Sequence, residues 1–461
     1  MRYLLNFVYC LVLFAASPWL VYASVRYGKY RDGLGQKLLG LVPDLPSLDE
    51  ASARRFWFHA VSVGEVNLLQ GLLQRLKEQP CIEIVISTTT KTGYKLATDK
   101  YPEAIVFYCP LDFSWAVNAA FKRIKPSLLI LVELELWPNL LMEAARRDVP
   151  VAIVNGRLSD RSTRGYRRLG GLMRSWMSSV QLVTAQSEEC AERFVQLGVS
   201  PQNVHHVGSM KFDGARTDRD NSRTRHLAQL FQLQSHHVVF LAGSTQPNED
   251  RMVVRVFRNL AARYPEFRLI LVPRHPERVG ETVTQLDEAG LDWVRRSAIS
   301  EKATSDARVL LVDTIGELGG WWGCADIGYV GGSIGKRGGQ NMIEPAAYRV
   351  ATCFGPDTRN FRDVVEMLLK ADAAEVVRDE STLTDFVVRC LEDTSYRREM
   401  GSKAHDVVVS QRGSTAKTVA YLMDCGQPGH VGFAPHPPLS LGKSTTSPQP
   451  SQMLPSKRRG A

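Results

Sequence analysis

The sequence has no closely spaced cysteine pair. Its eight cysteines are scattered from Cys10 to Cys425, with no CxxC and no Cys/His cluster at metal-ligand spacing. That argues against a disulfide scaffold and a structural zinc, and for a reducing compartment. The P-loop order GxxxxGK[ST] is missing, and no GxGxxG follows the first strand-like run of either half. P-loop ATPases and dinucleotide enzymes lose ground accordingly. No basic module studded with aromatics appears either. The net charge of +9 therefore points to acidic lipid or phosphorylated substrates, with no nucleic acid expected as partner.

Charge is absent from residues 3–25, most of which are apolar. A helix needs about 20 such residues to cross a bilayer. Arg2 precedes the run, and Arg26, Lys29 and Arg31 follow it. The heavier positive flank keeps the rest of the chain on the cytoplasmic side. Residues 1–30 are expected to form an N-terminal membrane anchor, single-pass or monotopic, with Pro18 a kink point. Residues 426–461 lack acidic residues and are rich in Pro, Ser and Gly, the composition of a disordered basic tail.

Between these ends, short β-prone runs alternate with helical patterns. Candidate strands are 56–60, 82–88, 104–108, 128–133, 149–155 and 182–186, then 238–242, 268–272, 309–312, 327–330 and 351–354. Leu69, Leu72, Leu73 and Leu76 carry helical spacing after the first strand. Ser187 is a helix N-cap before Glu188 and Glu189, in a helix that runs to Gly198. The alternation predicts an α/β fold of two doubly wound, Rossmann-like domains with ligands at the carboxyl ends of the strands. The first domain is set at 31–213 and the second at 236–395. A polar linker lies between them at 214–235, and a C-terminal helix covers 396–425.

Several constellations lie at expected strand ends. In "HAVSVGEV", Glu65 follows a strand directly and opens a helix. It reads either as a proton acceptor facing a cleft or as a carboxylate satisfying the helix dipole. In "LVELELWPN", Glu133 and Glu135 end an apolar strand and, in extended chain, share a face. Two carboxylates there need solvent, donors or a ligand. In "NGRLSDRSTRGYRRLGGLMRSWM", Arg161, Arg164 and Arg168 align on one helical face and Leu169, Leu172, Met173 and Trp176 on another. That pattern suits an anionic lipid surface or an ordinary packed helix, with Gly170-Gly171 weakening its continuity. In the second half, Ser244 and Thr245 of "AGSTQPNED" lie on a strand-to-helix turn fit for phosphate. Arg274 and His275 of "VPRHPE" end the next strand, where they meet an anion or, for His275, cap a helix. The richest segment is "VGGSIGKRGGQNMIEPAA", whose glycine amides can approach an anion. Within it Asn341 and Glu344, three apart, can point into one pocket, and Glu344 can accept hydrogen bonds from a ribose. A sugar-nucleotide site gains from this pattern.

The ordered set "FHAVSVGEV", "STTTKTGY", "PLDFSWAV", "VELELWPNLL", "NGRLSDRS", "AQSEECAERFVQLG", "GSMKFD", "GSTQPNED", "PRHPER", "VDTIGELG" and "GGQNMIEPAAY" closely resembles the 3-deoxy-D-manno-octulosonic acid (Kdo) transferases of lipopolysaccharide synthesis. The resemblance covers about residues 3–423. It implies a GT-B glycosyltransferase, CMP-Kdo as donor, lipid IVA (the lipid A precursor) as acceptor at the inner membrane, and inversion without a metal or other cofactor. It further implies that Glu65 is the general base and that Glu133 or Glu135 is a further essential acid, which of the two being left open. Ser244, Thr245, Arg274, Gly335, Gly339, Gln340, Asn341 and Glu344 match motif positions of the donor side. Lys211 stands at the domain junction, where phosphate or the Kdo carboxylate would meet it. "NGRLS" stands where the family commonly has "NARLS", and "VELELW" where "ETELW" is frequent; both keep the polar groups. The alternative is a GT-B transferase using a UDP-sugar on another membrane lipid.

Overall fold

A computed structural model describes residues 2–28, 31–48, 53–79, 81–300, 305 and 307–425. The expected tail at 426–461 and Lys29 lie outside the described residues. Two seven-stranded, wholly parallel sheets organise the rest. The first holds β1 (Arg54–His59), β2 (Ile82–Thr88), β3 (Ile105–Tyr108), β4 (Leu128–Val132), β5 (Val151–Gly156), β6 (Val180–Ala185) and β7 (Val204–His206). The second holds β8 (Val238–Thr245), β9 (Phe267–Pro273), β10 (Trp293–Arg295), β11 (Val309–Leu311), β12 (Ile327–Val330), β13 (Ala351–Phe354) and β14 (Ala374–Val376).

The first sheet runs β3-β2-β1-β4-β5-β6-β7 and the second β10-β11-β9-β8-β12-β13-β14. In each, the order reverses beside the domain's first strand, between β1 and β4 and between β8 and β12. Such switch points open a crevice at the carboxyl ends of the strands. The central strand β4 is apolar throughout because helices cover both faces of the sheet: Leu128 to Val132 are wholly buried. The leucines at helical spacing do what their period predicts. Leu69, Leu72, Leu73 and Leu76 form the buried stripe of the helix Val63–Lys77. The helix Glu188–Leu197 is capped by the Ser187 side chain and ends on left-handed Gly198, as expected.

The stretch set as linker is partly structure. The helix Ser222–Leu230 occupies it and buries Thr224, Leu227 and Leu230; the two leucines join the core of the second domain. Its spacing of three is an amphipathic period hidden in a polar composition. The C-terminal segment also divides, into helices Thr394–Ser410 and Ser414–Asp424. The second of these returns to the first domain, where Val419, Leu422 and Cys425 enter its core. Asp213 fastens the crossing, its carboxylate accepting from the Gly413 and Thr415 amides at 2.6 and 2.5 Å.

The N-terminal helix spans Arg2–Tyr27 and continues through Pro18. It is long and apolar enough to cross a membrane and is almost unburied. Its first turns dock on the first domain. Arg2 pairs with Glu143 at 3.2 Å, Asn6 bonds Ser114, and Tyr9 donates to Asp112 at 3.0 Å. Past that contact it presents Leu11, Phe14, Trp19 and Val25 outward.

Candidate active site

Both switch points carry chemistry. At the first, β1 passes into the helix Val63–Lys77, whose N-cap is Ser62. Glu65 is half-buried and its carboxylate turns back on the cap, accepting from Val61 N at 2.7 Å and Ser62 Oγ at 2.9 Å. Ser62 accepts in turn from Glu65 N, so the N-cap and the N3 glutamate bond each other in the manner of a capping box, with the carboxylate reaching one residue further back to Val61 N. The dipole-satisfying role and an exposed oxygen are thus compatible: each carboxylate oxygen has a second lone pair. The turn is held from below, where the hydroxyls of Thr88, Thr89 and Thr90 all donate to the Val61 carbonyl at 3.2–3.4 Å.

Across the same crevice β4 is followed at once by Glu133, whose φ of 60° is left-handed. The reversal means that Glu133 and Glu135 do not share a face of extended chain, as the sequence pattern suggested. They are brought to one site by a turn instead. Lys211 Nζ lies 3.0 Å from Glu133 Oε1, and Trp137 Nε1 donates to Glu135 at 3.1 Å. The three carboxylates act on each other. Burial raises the Glu65 pKa above the ordinary value; the Glu133 charge adds to that, while the Val61 and Ser62 hydrogen bonds and Lys211 oppose it. Burial, then the charges of Glu65 and Glu133, push Glu135 up to about 7. Like charges gathered in a crevice with one lysine are a recurrent mark of acid–base chemistry.

At the second switch point Ser244 is also left-handed, with φ of 57°. Ser244 and Thr245 are buried at the end of β8, against the glycine loop that follows β12. A Cβ on Gly331 would stand 2.6 Å from Ser244 O and Thr245 Cα, so only glycine permits this approach. The loop is organised by a residue that the sequence reading passed over. Glu249 is buried, and its carboxylate accepts from the amides of Gln246, Gly332, Ser333 and Ile334 and from the Tyr329 hydroxyl, at 2.8–3.0 Å. Asp357 likewise accepts from Gly338 N at 2.8 Å.

These shapes have known counterparts. A family model described as 3-Deoxy-D-manno-octulosonic-acid transferase (kdotransferase) matches residues 28–214. The 3-deoxy-D-manno-octulosonic acid transferase of Bordetella pertussis is 32% identical over 419 residues, 89% of this chain and 93% of that protein. The chain belongs to this family of transferases. The Haemophilus influenzae 3-deoxy-D-manno-octulosonic acid transferase is 30% identical over 369 residues, 79% of this chain and 86% of that one. A solved glycosyltransferase from Rickettsia africae, 10% identical, overlays 81% of the chain and 98% of its own with a TM-score of 0.54, which bears on fold alone and agrees with GT-B.

In this Kdo transferase the remaining residues picked from sequence fall in two groups. Gly335, Gly339, Gln340 and Asn341 all lie on the loop after β12, with Gln340 folded against Gly332. Asn341 donates to Glu344 at 3.1 Å and accepts from Ile343 N; burial raises the Glu344 pKa. Arg274 is exposed just past the end of β9, tied by its amide to Thr245 O at 3.1 Å. His275 stands at the N-cap position of the short turn Pro276–Arg278 but makes no side-chain cap bond; its ring faces Glu277 at 3.4 Å. Arg157 of the first domain reaches Asp363 of the second at 3.0 Å, an ion pair joining the two lobes. Among the described residues no group of three or more His, Cys, Asp or Glu is arranged to hold a metal ion.

The expected basic helix is two helices, Asp160–Arg167 and Gly171–Met177, broken at left-handed Gly170. Arg161, Arg164 and Arg168 are exposed. The apolar stripe divides: Met173 and Trp176 enter the core, while Leu169 and Leu172 stay on the surface beside the arginines.

Proposed function

We propose that the protein transfers Kdo from CMP-Kdo to a hydroxyl of lipid IVA, with inversion, at the cytoplasmic face of the inner membrane. The observation that carries this reading is the cluster of Glu65, Glu133, Glu135 and Lys211 at the first switch point. Glu65 removes the proton of the acceptor hydroxyl as its oxygen attacks the Kdo anomeric carbon. The bond from that carbon to the CMP phosphate breaks, and CMP departs with the electron pair. A carboxylate whose pKa is raised is the stronger base, and its fixed position on the helix cap lowers the cost of alignment.

CMP-Kdo is assigned to the second switch point, with its phosphate against the Ser244–Thr245 turn and the amides of the glycine loop. Arg274 and Lys211 supply positive charge to the leaving phosphate and the sugar carboxylate, so the reading requires no metal. The N-terminal helix and the exposed Arg161, Arg164, Arg168, Leu169 and Leu172 hold the first domain against the lipid surface on which the acceptor lies.

Mass spectrometry of lipid IVA incubated with the protein and CMP-Kdo tests donor, acceptor and product together; a product formed only from UDP-sugars would sink the proposal. Glu65→Gln should lower kcat by about 10²–10⁴-fold with little change in donor KM. Glu135 is a second reading for the base, favoured by its pKa near 7. Loss of turnover in Glu135→Gln, with Glu65→Gln active, would move the role to it.

A further inference from the structure

The second domain has a pocket at the pole opposite its candidate donor loops. It encloses about 300 Å³ and is lined by Arg219, Arg349, Arg397, Arg398, His236 and Asp326, among others. Asp326 stands just before β12 and Arg349 shortly before β13, while His236 leads into β8. All are amino-terminal strand ends. The eight residues of β8, at roughly 3.3 Å each, put this pole about 23 Å from the Ser244–Thr245 turn.

Four arginines face one aspartate in this space. Asp326 is already engaged, accepting from Val239 N at 3.0 Å and lying 3.7 Å from Arg219. Arg219 donates to the Gly323 and Ala325 carbonyls and Arg397 to the Cys390 carbonyl. The side chains of Arg349 and Arg398, both exposed, have no hydrogen-bond or ion-pair partner among the described residues; the Arg349 amide bonds Ala346 O at 3.1 Å. Positive charge is thus held in place on a fixed base and left unsatisfied at the rim. Burial first, then the positive charges of Arg268 and His236, depress the neighbouring His237 to about 4.

The backbone at Arg349 adds a second argument. Its φ is 60°, a conformation where glycine is cheaper than arginine. The turn is pressed onto the helix Thr394–Ser410 at Gly401, where a Cβ would come within 2.1 Å of the Arg349 carbonyl. That contact sets Arg349 beside Arg397 and Arg398, one turn earlier on the same helix. Val238 is the one aliphatic side chain in the lining, so a nucleoside base finds little apolar cover. Guanidinium forks match phosphate oxygens.

We propose that this pocket is a second anion site, which binds a compact phosphate-bearing group such as inorganic pyrophosphate or a phosphate monoester, remote from the candidate active site. It stands independently of the donor assigned above.

The test is calorimetric titration of the full chain in detergent with pyrophosphate, in the presence of excess CMP to fill any nucleotide site. Binding should survive CMP and weaken at least about tenfold in Arg349→Ala/Arg398→Ala, through loss of charge-assisted bonds. The melting temperature without ligand should not fall, since neither side chain has a partner to lose. Arg349→Gly separates strain from charge: it should raise the melting temperature yet still weaken pyrophosphate. Vesicles containing phosphatidic acid distinguish the source. Retention that pyrophosphate competes and the double variant loses assigns a lipid headgroup; soluble binding without vesicle retention assigns a free phosphate, and each supports the site. Wild-type protein with no CMP-resistant binding of pyrophosphate and no arginine-dependent retention on the vesicles would overturn the proposal, as would variants that bind both probes like wild type.

Discussion

Replacing Glu249 by glutamine should cripple the glycine loop from beneath while leaving the first domain intact. The carboxylate accepts five hydrogen bonds on two oxygens, Gln246 N and Gly332 N on one, and Tyr329 Oη, Ser333 N and Ile334 N on the other. Glutamine has the same shape but one acceptor. Its best orientation keeps the oxygen toward Tyr329, Ser333 and Ile334 and turns its NH2 toward two amides that also donate. Two bonds to a charged acceptor are lost, at roughly 1.5–3 kcal/mol each, so about 3–6 kcal/mol is at stake in a site with no solvent to replace them. Against a whole-domain stability of roughly 5–15 kcal/mol this is a large fraction. Taking the lower figure, the second domain should melt about 6–12 °C below wild type. On the proposed assignment of CMP-Kdo to this loop, the donor KM should rise more than the acceptor KM. Scanning calorimetry and a two-substrate titration read both. A melting temperature within about 2 °C of wild type, with donor KM unchanged, would refute the assignment of Glu249 as the residue positioning this loop.

Glu135 should govern a pH limb. Its folded pKa of about 7 lies above the ordinary carboxylate value, so its ionisation opposes folding. The stability it contributes is full below about 4.5 and is lost as pH rises through 7, and Glu135→Gln should flatten the decline of stability across that window in pH-dependent melts. Asp213→Asn should loosen the return crossing, seen as faster amide exchange across Ser414–Asp424 than across Thr394–Ser410. Arg161→Ala, Arg164→Ala and Arg168→Ala together should weaken sedimentation with anionic vesicles, about fivefold per residue at low salt, and leave turnover of a detergent-dispersed acceptor largely unchanged.

What was legible from the sequence was whatever periodicity or a cap writes locally. The strands β2, β12 and β13 and the helix after Ser187 fall where their patterns placed them. The strands β7, β10 and β14 are three residues long and lie toward sheet edges; three residues cannot display an alternation. Composition misled at Ser222–Leu230, because Ser222, Arg223, Arg225, His226 and Gln229 outweigh its two buried leucines. Glu65 was singled out by its place on a turn. Glu249 escaped notice because three of its partners are amides 83 to 85 residues further on, a relation that exists only after folding. The geometry of Glu133 and Glu135 was misjudged for a different reason: a left-handed residue at the strand end cancels the two-residue period on which the reading stood.

The return of the last described helix has a consequence for synthesis. Val419, Leu422 and Cys425 fill a core otherwise built from residues between Phe56 and Met210. The half that emerges first from the ribosome therefore stays unfinished until nearly all of the chain has been translated, whereas the half that emerges second needs little from beyond its own stretch. Fragments cut at the junction would inherit this asymmetry: the downstream piece keeps a closed interior, while the upstream piece carries an open apolar seam and calls for the missing segment to be supplied as a peptide.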